Sequence, residues 1–290
     1  MQPRQIDLMG KKYVWFAMSG LIILIGMISL ATRGLNLSID FTSGSRLVTS
    51  FSGEASVDGV RDVVSGLGYG DAVVQTVGDN SYQISLPALS TEQENEVVAG
   101  LDSSFGVSEK SWKSVGPTFG RQVLRAMIEA VIFAWILIVA YVSIRFEYKF
   151  AVATIVALAH DLLVTVGVYS VVGREVTTAT IAAILTILGY SLYDTIIIFD
   201  RVRENAPKAR RGTYAEMVNQ SVWEVMTRSL ITILLTLLPV ACLFIFGGAT
   251  LKDFAFALLV GIASGAYSSI FVAAPILTLW KEKEKRYRPT

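Results

Sequence analysis

The sequence predicts a polytopic α-helical membrane protein, with six transmembrane helices and one extracytoplasmic ferredoxin-like α+β domain between the first and second. Three observations predict it. The 290-residue chain is 53% hydrophobic with mean hydropathy +0.54, and its apolar residues come in blocks of the roughly 20 residues that cross a bilayer. One stretch, residues 33–121, is instead soluble in composition, with acids outnumbering bases. Within that stretch helix-like and strand-like runs follow the order β-α-β-β-α-β.

Taken in order, residues 1–32 hold a basic N-terminus (Arg4, Lys11, Lys12) and the first span, residues 13–31. No small-residue cleavage site follows that span, so it is expected to be retained rather than removed as a signal peptide. In the soluble stretch, strands are expected at residues 46–51, 72–77, 82–86 and 107–115. Helices are expected to start after Ser56 as N-cap and after Ser90, where Gln93 completes a capping box. Gly78-Asp79-Asn80 is expected to turn the central hairpin. Asp40 and the helix acids read as solvated surface.

Residues 122–280 hold five more spans, at about 124–144, 150–172, 177–199, 229–246 and 254–280. A polar cytoplasmic loop, residues 200–226, joins the fourth span to the fifth. Inside it Thr213-x-x-Glu216 looks like a capping box, followed by the helical stripe Val218, Ser221, Val222 and Val225; this predicts a short amphipathic helix on the membrane surface. Residues 281–290 form a basic tail. The lysine and arginine bias of the short loops places both termini and the 200–226 loop in the cytoplasm. The soluble domain and the short loops near Arg174 and Lys252 then lie outside.

Composition narrows the function. Net charge is +1, so charge points to no nucleic-acid partner. One cysteine (Cys242) and one histidine (His160) leave no intrachain disulfide and no cysteine-rich or multi-histidine metal site. No Walker loop and no GxSxG elbow occurs. Neither a cofactor nor an enzymatic activity is expected.

The fourth span carries an acid, Asp194, among Leu192, Tyr193, Ile196 and Ile197. A carboxylate there costs several kcal/mol, about 3 on insertion scales, unless it faces protein or water or takes up a proton. Intramembrane acids mark ion paths; the alternative is an acid that pairs with a base to hold helices together. Thr186, Tyr190 and Asp194 recur every fourth residue, which predicts a shared face. Gly189 and Ser191 are small enough to admit another helix. Arg228 opens the fifth span at the same inner depth, so an Asp194–Arg228 contact is geometrically open. Asp200 sits at the membrane edge. His160 and Asp161 fall near the middle of the third span but point about 100° apart, leaving structural and functional readings open. Arg125 and Glu129 are spaced to pair, and Gly261-x-x-x-Gly265 permits close helix packing.

Several motifs then converge. Ser38-Ile39-Asp40-Phe41-Thr42-Ser43-Gly44 resembles GIDFTGG, with serine at 38 and 43 where glycine is usual. Val115-Gly116-Pro117 resembles VGP. Leu188-Gly189-Tyr190-Ser191-Leu192-Tyr193-Asp194-Thr195 resembles IGYSxNDT, with Tyr193 replacing asparagine. The stretch from Phe199 to Asn205 resembles FDRIREN, and Thr227-Arg228-Ser229 stands where SRT is usual. Together they resemble the SecD/SecF family of protein-export membrane proteins, within the resistance–nodulation–division superfamily. The resemblance implies an auxiliary subunit of the Sec protein translocase in the bacterial plasma membrane. It would work with SecD on translocating polypeptides, beside the SecYEG translocon and accessory subunits such as YajC, using the proton motive force or sodium. By motif position Asp194 and Arg228 match the family's ion path, with Tyr190, Thr186, Asp200, His160 and Asp161 in support. Motion is expected to reach the external domain through the first and second spans. The alternative is half of an ion-gradient-driven small-molecule or lipid exporter of the same superfamily. The external domain, which shows no sign of a large apolar pocket, suits a polypeptide better than a drug.

Overall fold

Long apolar runs form the expected bundle. The computed structural model describes residues 6–78, 80–208 and 212–283. Among these, six helical stretches are long and apolar enough to cross a membrane. They are α1 (Lys12–Arg33), α5 (Pro117–Arg145), α6 (Tyr148–Val172), α7 (Thr178–Asn205), α8 (Tyr214–Phe246) and a composite span, Leu251–Lys281. The composite consists of α9 (Gly248–Ser268), a π-helical turn (Ser269–Ala273) and α10 (Ala274–Lys281). The middle of the bundle is α6, α7 and α9, while α1, α5 and α8 turn large apolar faces outward. Where α1 crosses α6 the helices nearly touch: a Cβ on Gly26 would lie 2.8 Å from the Gly167 Cα. In α9, Gly261 and Gly265 seat Ile187 and Ser191 of α7 in the same way.

The soluble domain is ferredoxin-like. Strands β2 (Gly44–Phe51), β3 (Val73–Gly78), β4 (Ser81–Leu86) and β5 (Val107–Val115) form an antiparallel sheet in the order β3-β4-β2-β5. Helices α3 (Val57–Gly66) and α4 (Thr91–Phe105) cover one face, burying Leu47, Val60, Val64, Ile84, Val97 and Leu101 completely. Ser56 caps α3 and the Ser90–Gln93 box caps α4, as expected. Of the hairpin turn, Asp79 lies outside the described residues; Asn80 takes a positive φ of 53°.

Two sequence expectations are corrected here. The polar loop is shorter than residues 200–226. Helix α7 runs on through Asn205, and the Thr213 capping box opens α8 itself. The amphipathic segment is therefore the first turns of α8, with Met217, Val218, Ser221 and Val222 buried, because no glycine or proline interrupts it before Pro239. At 33 residues α8 is about 50 Å long, well beyond the roughly 30 Å of a hydrocarbon core. Residues 284–290 of the basic tail lie outside the described residues.

The second correction concerns Asp40. It is buried, 6% exposed, in α2 (Ile39–Thr42), whose N-cap is the fully buried Ser38. Its Oδ1 accepts from Lys113 Nζ at 2.6 Å, and its Oδ2 from the backbone N–H and hydroxyl of Thr178 at 3.3 and 3.2 Å. Burial alone would disfavour the charge, but the Lys113 and Thr178 hydrogen bonds outweigh it and hold the carboxyl below its usual value of 3.8. The contact therefore persists through neutral pH and is lost only as pH falls through that lowered value.

Ser43 sits at φ 67°, ψ 161°, a region that only glycine enters freely. The chain turns there into Gly44, where a Cβ would lie 2.5 Å from the Leu86 carbonyl oxygen. Ser43→Gly is expected to stabilise the folded chain by about 1–2 kcal/mol, read as a higher unfolding midpoint in detergent. An unchanged midpoint would show that the turn carries no strain.

Candidate ion-coupling site

The site is built on α7. A reciprocal Thr177–Thr180 capping box starts the helix, and neighbours on three sides bury its middle. Asp194 is 5% exposed. Its Oδ1 accepts from the Ser229 hydroxyl of α8 at 2.7 Å, while its Oδ2 is buried without a hydrogen bond, with the Ser269 hydroxyl nearby. Next to it, Thr195 shares a 2.8 Å hydrogen bond with Ser269, the first residue of the π-helical turn. Such turns inside α-helices recur at functional sites.

One turn toward the N-terminus of α7, a second acid is fully satisfied. Asp161 of α6 is 0% exposed. Its Oδ2 accepts from Ser191 at 2.5 Å and Ser268 at 2.8 Å, and its Oδ1 from Ser264 at 2.8 Å, with His160 Nδ1 at 3.1 Å. The four donors come from α6, α7 and α9, so Asp161 pins three helices together. With Nδ1–H donating, His160 Nε2 is the bare nitrogen, and it is buried without a partner. The His160 ring stacks on Tyr267 at 5.9 Å between centroids. His160 and Asp161 are thus joined in one cluster despite their angular separation. The two acids differ in kind: Asp161 has every lone pair engaged, and Asp194 keeps one oxygen free.

The other sequence candidates separate. Thr186 is exposed and bonds its own helix at the Ala182 carbonyl, and Tyr190 is half-buried. Each four-residue step turns about 40° past a full circle, so over two steps Thr186 leaves the face of Asp194. Arg228 does not contact Asp194. It is exposed, and the adjacent Ser229 faces the acid instead. Asp200 lies half-exposed near the end of α7 away from the soluble domain, beside Arg203 at 3.5 Å and Arg145 at 4.0 Å. Arg125 and Glu129 pair at 2.8 Å on an exposed face. The serines were missed from sequence; Ser264 and Ser268, one turn apart in an apolar run, were the available signal.

Six apolar helices, a buried acid with a free oxygen and a ferredoxin-like domain seated on the acid-bearing helix define a polytopic membrane protein. Comparison with known proteins makes this specific. The family described as protein export membrane protein SecD/SecF, C-terminal, matches residues 95–283, and the SecD/SecF GG motif matches residues 28–55. The chain belongs to the SecD/SecF family. It is 37% identical to the protein translocase subunit SecF of Streptomyces coelicolor, over 97% of this chain and 78% of that one. It is 38% identical to that of Alicyclobacillus acidocaldarius, over 99% and 96%. A crystal structure of SecDF from Thermus thermophilus, a translocon-associated membrane protein, superposes with TM-score 0.88 at 36% identity. It covers 97% of this chain, which spans only 39% of the SecDF chain. A SecDF structure in a super-membrane-facing form superposes with TM-score 0.71 at 34% identity.

Proposed function

We propose that the chain is an auxiliary subunit of Sec protein translocation that uses an ion gradient, with a SecD-type partner, to promote movement of polypeptides across the bacterial plasma membrane. The free, buried Oδ2 of Asp194 carries this reading, because an acid kept only to hold helices would be satisfied as Asp161 is. Asp194 and Arg228 form the ion path. In this state Ser229, a neutral donor, serves the acid; a turn of about 100° in α8 would bring Arg228 there instead. Exchanging a neutral donor for a cationic one changes the charge that balances the carboxylate, which a load-and-release cycle requires. A membrane potential supplies about 2.3 kcal/mol per charge per 100 mV for the work. Basic residues of the short loops support cytoplasmic termini and an external soluble domain.

The fused SecDF relative supports a SecD-type partner. On this chain the face left for one is the stripe Ala182, Thr186, Gly189 and Tyr193, which is exposed along α7. Ser191, by contrast, is 1% exposed and faces Gly265 within the chain. Gly189→Cys, in a Cys242→Ser background, is expected to crosslink to the partner in native membranes; labelling only by lipid-phase reagents would place lipid there. The function itself is tested by translocation into inverted vesicles lacking or containing the chain. With it, an imposed gradient is expected to speed completion of threading that ATP has begun. No gradient response in its presence would overturn the reading.

A further inference from the structure

The helix that carries Asp194 begins beneath the soluble domain. Its first residue, Thr178, gives both its amide and its hydroxyl to Asp40. Asp40 stands one short helix before β2 and also holds Lys113 of β5. Three residues before Thr178, the buried Glu175 accepts from Arg46 of β2 and, at 2.9 Å, from Gln83 of β4. Burial raises the Glu175 carboxyl above its usual 4.5, only partly offset by Arg46 and Gln83. A parallel pairing of β1 (Asn36–Leu37) with β6 (Glu175–Val176) completes the seam. Arg46, Gln83 and Lys113 thus come from three neighbouring strands, all on the face that α3 and α4 leave uncovered. They line a cavity of about 290 Å³ with Ser111, Thr177, Thr178 and Ala179.

From Thr178 to Asp194 α7 is unbroken, a rod about 24 Å long. A shift at one end is delivered to the other, and there the first thing it meets is a carboxylate bonded to the sheet. The sequence pointed instead to the spans that flank the domain. Yet α1 ends at Arg33, two residues short of β1, and α5, joined to β5 through Gly116, touches the domain chiefly at α2.

We propose that Asp40 is the joint through which the Asp194-bearing helix moves the soluble domain, a positioning residue that grips the head of α7 and β5 at once. This rests on the ion-driven reading of Asp194. A purely structural cap would hold the two parts together whether or not a gradient were present; a joint transmits the gradient's effect.

The test uses the full chain in native membrane vesicles, with Cys242→Ser and the pair Ser111→Cys and Ala179→Cys, both at residues that line the cavity. The rate of disulfide formation is read with and without an imposed gradient, beside translocation in the same vesicles. With Asp40 intact, the gradient is expected to change the rate by about 5-fold or more, the lower range of allosteric coupling. Asp40→Asn, and separately Lys113→Met on the exposed side of the contact, are expected to abolish that change; Thr178→Ser, which keeps both donors, retains it. Variants that respond as fully as their parent overturn the joint and leave the ion-driven reading standing. So does a parent whose rate ignores the gradient while translocation responds. If neither rate nor translocation responds, both readings fall.

Discussion

Asp194→Asn is expected to leave folding and partner binding intact while abolishing the gradient-dependent part of translocation. Asparagine has nearly the volume of aspartate, and its carbonyl oxygen can still accept from Ser229. Its amide takes the place of an oxygen that bonds to nothing, so no existing hydrogen bond is lost. The stability change is therefore expected to stay within about 1 kcal/mol. Asparagine can neither load a proton nor balance a cation. Translocation into inverted vesicles should show the ATP-driven phase unchanged and the added effect of a gradient gone. A variant that still responds fully would remove Asp194 from the mechanism.

Asp161→Ala is expected to act on the opposite property. Removing this carboxylate orphans the hydroxyls of Ser191 and Ser264 and the His160 nitrogen, and leaves the Ser268 hydroxyl only the Gly265 carbonyl, all buried among α6, α7 and α9. Each buried donor left without a partner costs about 1–3 kcal/mol, enough together to lower the unfolding midpoint in detergent sharply and reduce the protein in membranes. Asp161→Asn keeps an acceptor and should cost less. A loss below about 1 kcal/mol for the alanine variant would mean that the serines find other partners and that Asp161 does not hold the bundle.

These two acids also mark how far the sequence could be read. Both were visible as charges inside apolar runs, and the spans, the β-α-β-β-α-β order and the serine and threonine caps were legible because each rests on local pattern. Which acid is satisfied was not, since that depends on serines one to three helices away in sequence. A serine in an apolar run does not announce its partner. Thr186 was assigned to the Asp194 face by counting in fours, and the drift of a 3.6-residue helix carried it away. Arg228 was placed at the right depth, but its neighbour Ser229 took the contact. The charged residues after Phe199 read as loop, although α7 continues past them and secures them by Arg201–Glu204 and Arg201–Glu224 pairs. Asp40 read as surface because neither Lys113 nor Thr178, 73 and 138 residues away in sequence, gives a local signal.

The central claim, that Asp194 carries the coupling ion, is tested most directly by ion uptake. Proteoliposomes holding the chain with its partner, loaded with pH-sensitive and sodium-sensitive dyes, are subjected to an imposed gradient. Uptake of one of the two ions by the parent protein and background uptake by Asp194→Asn is the predicted result. Equal uptake by both would contradict it.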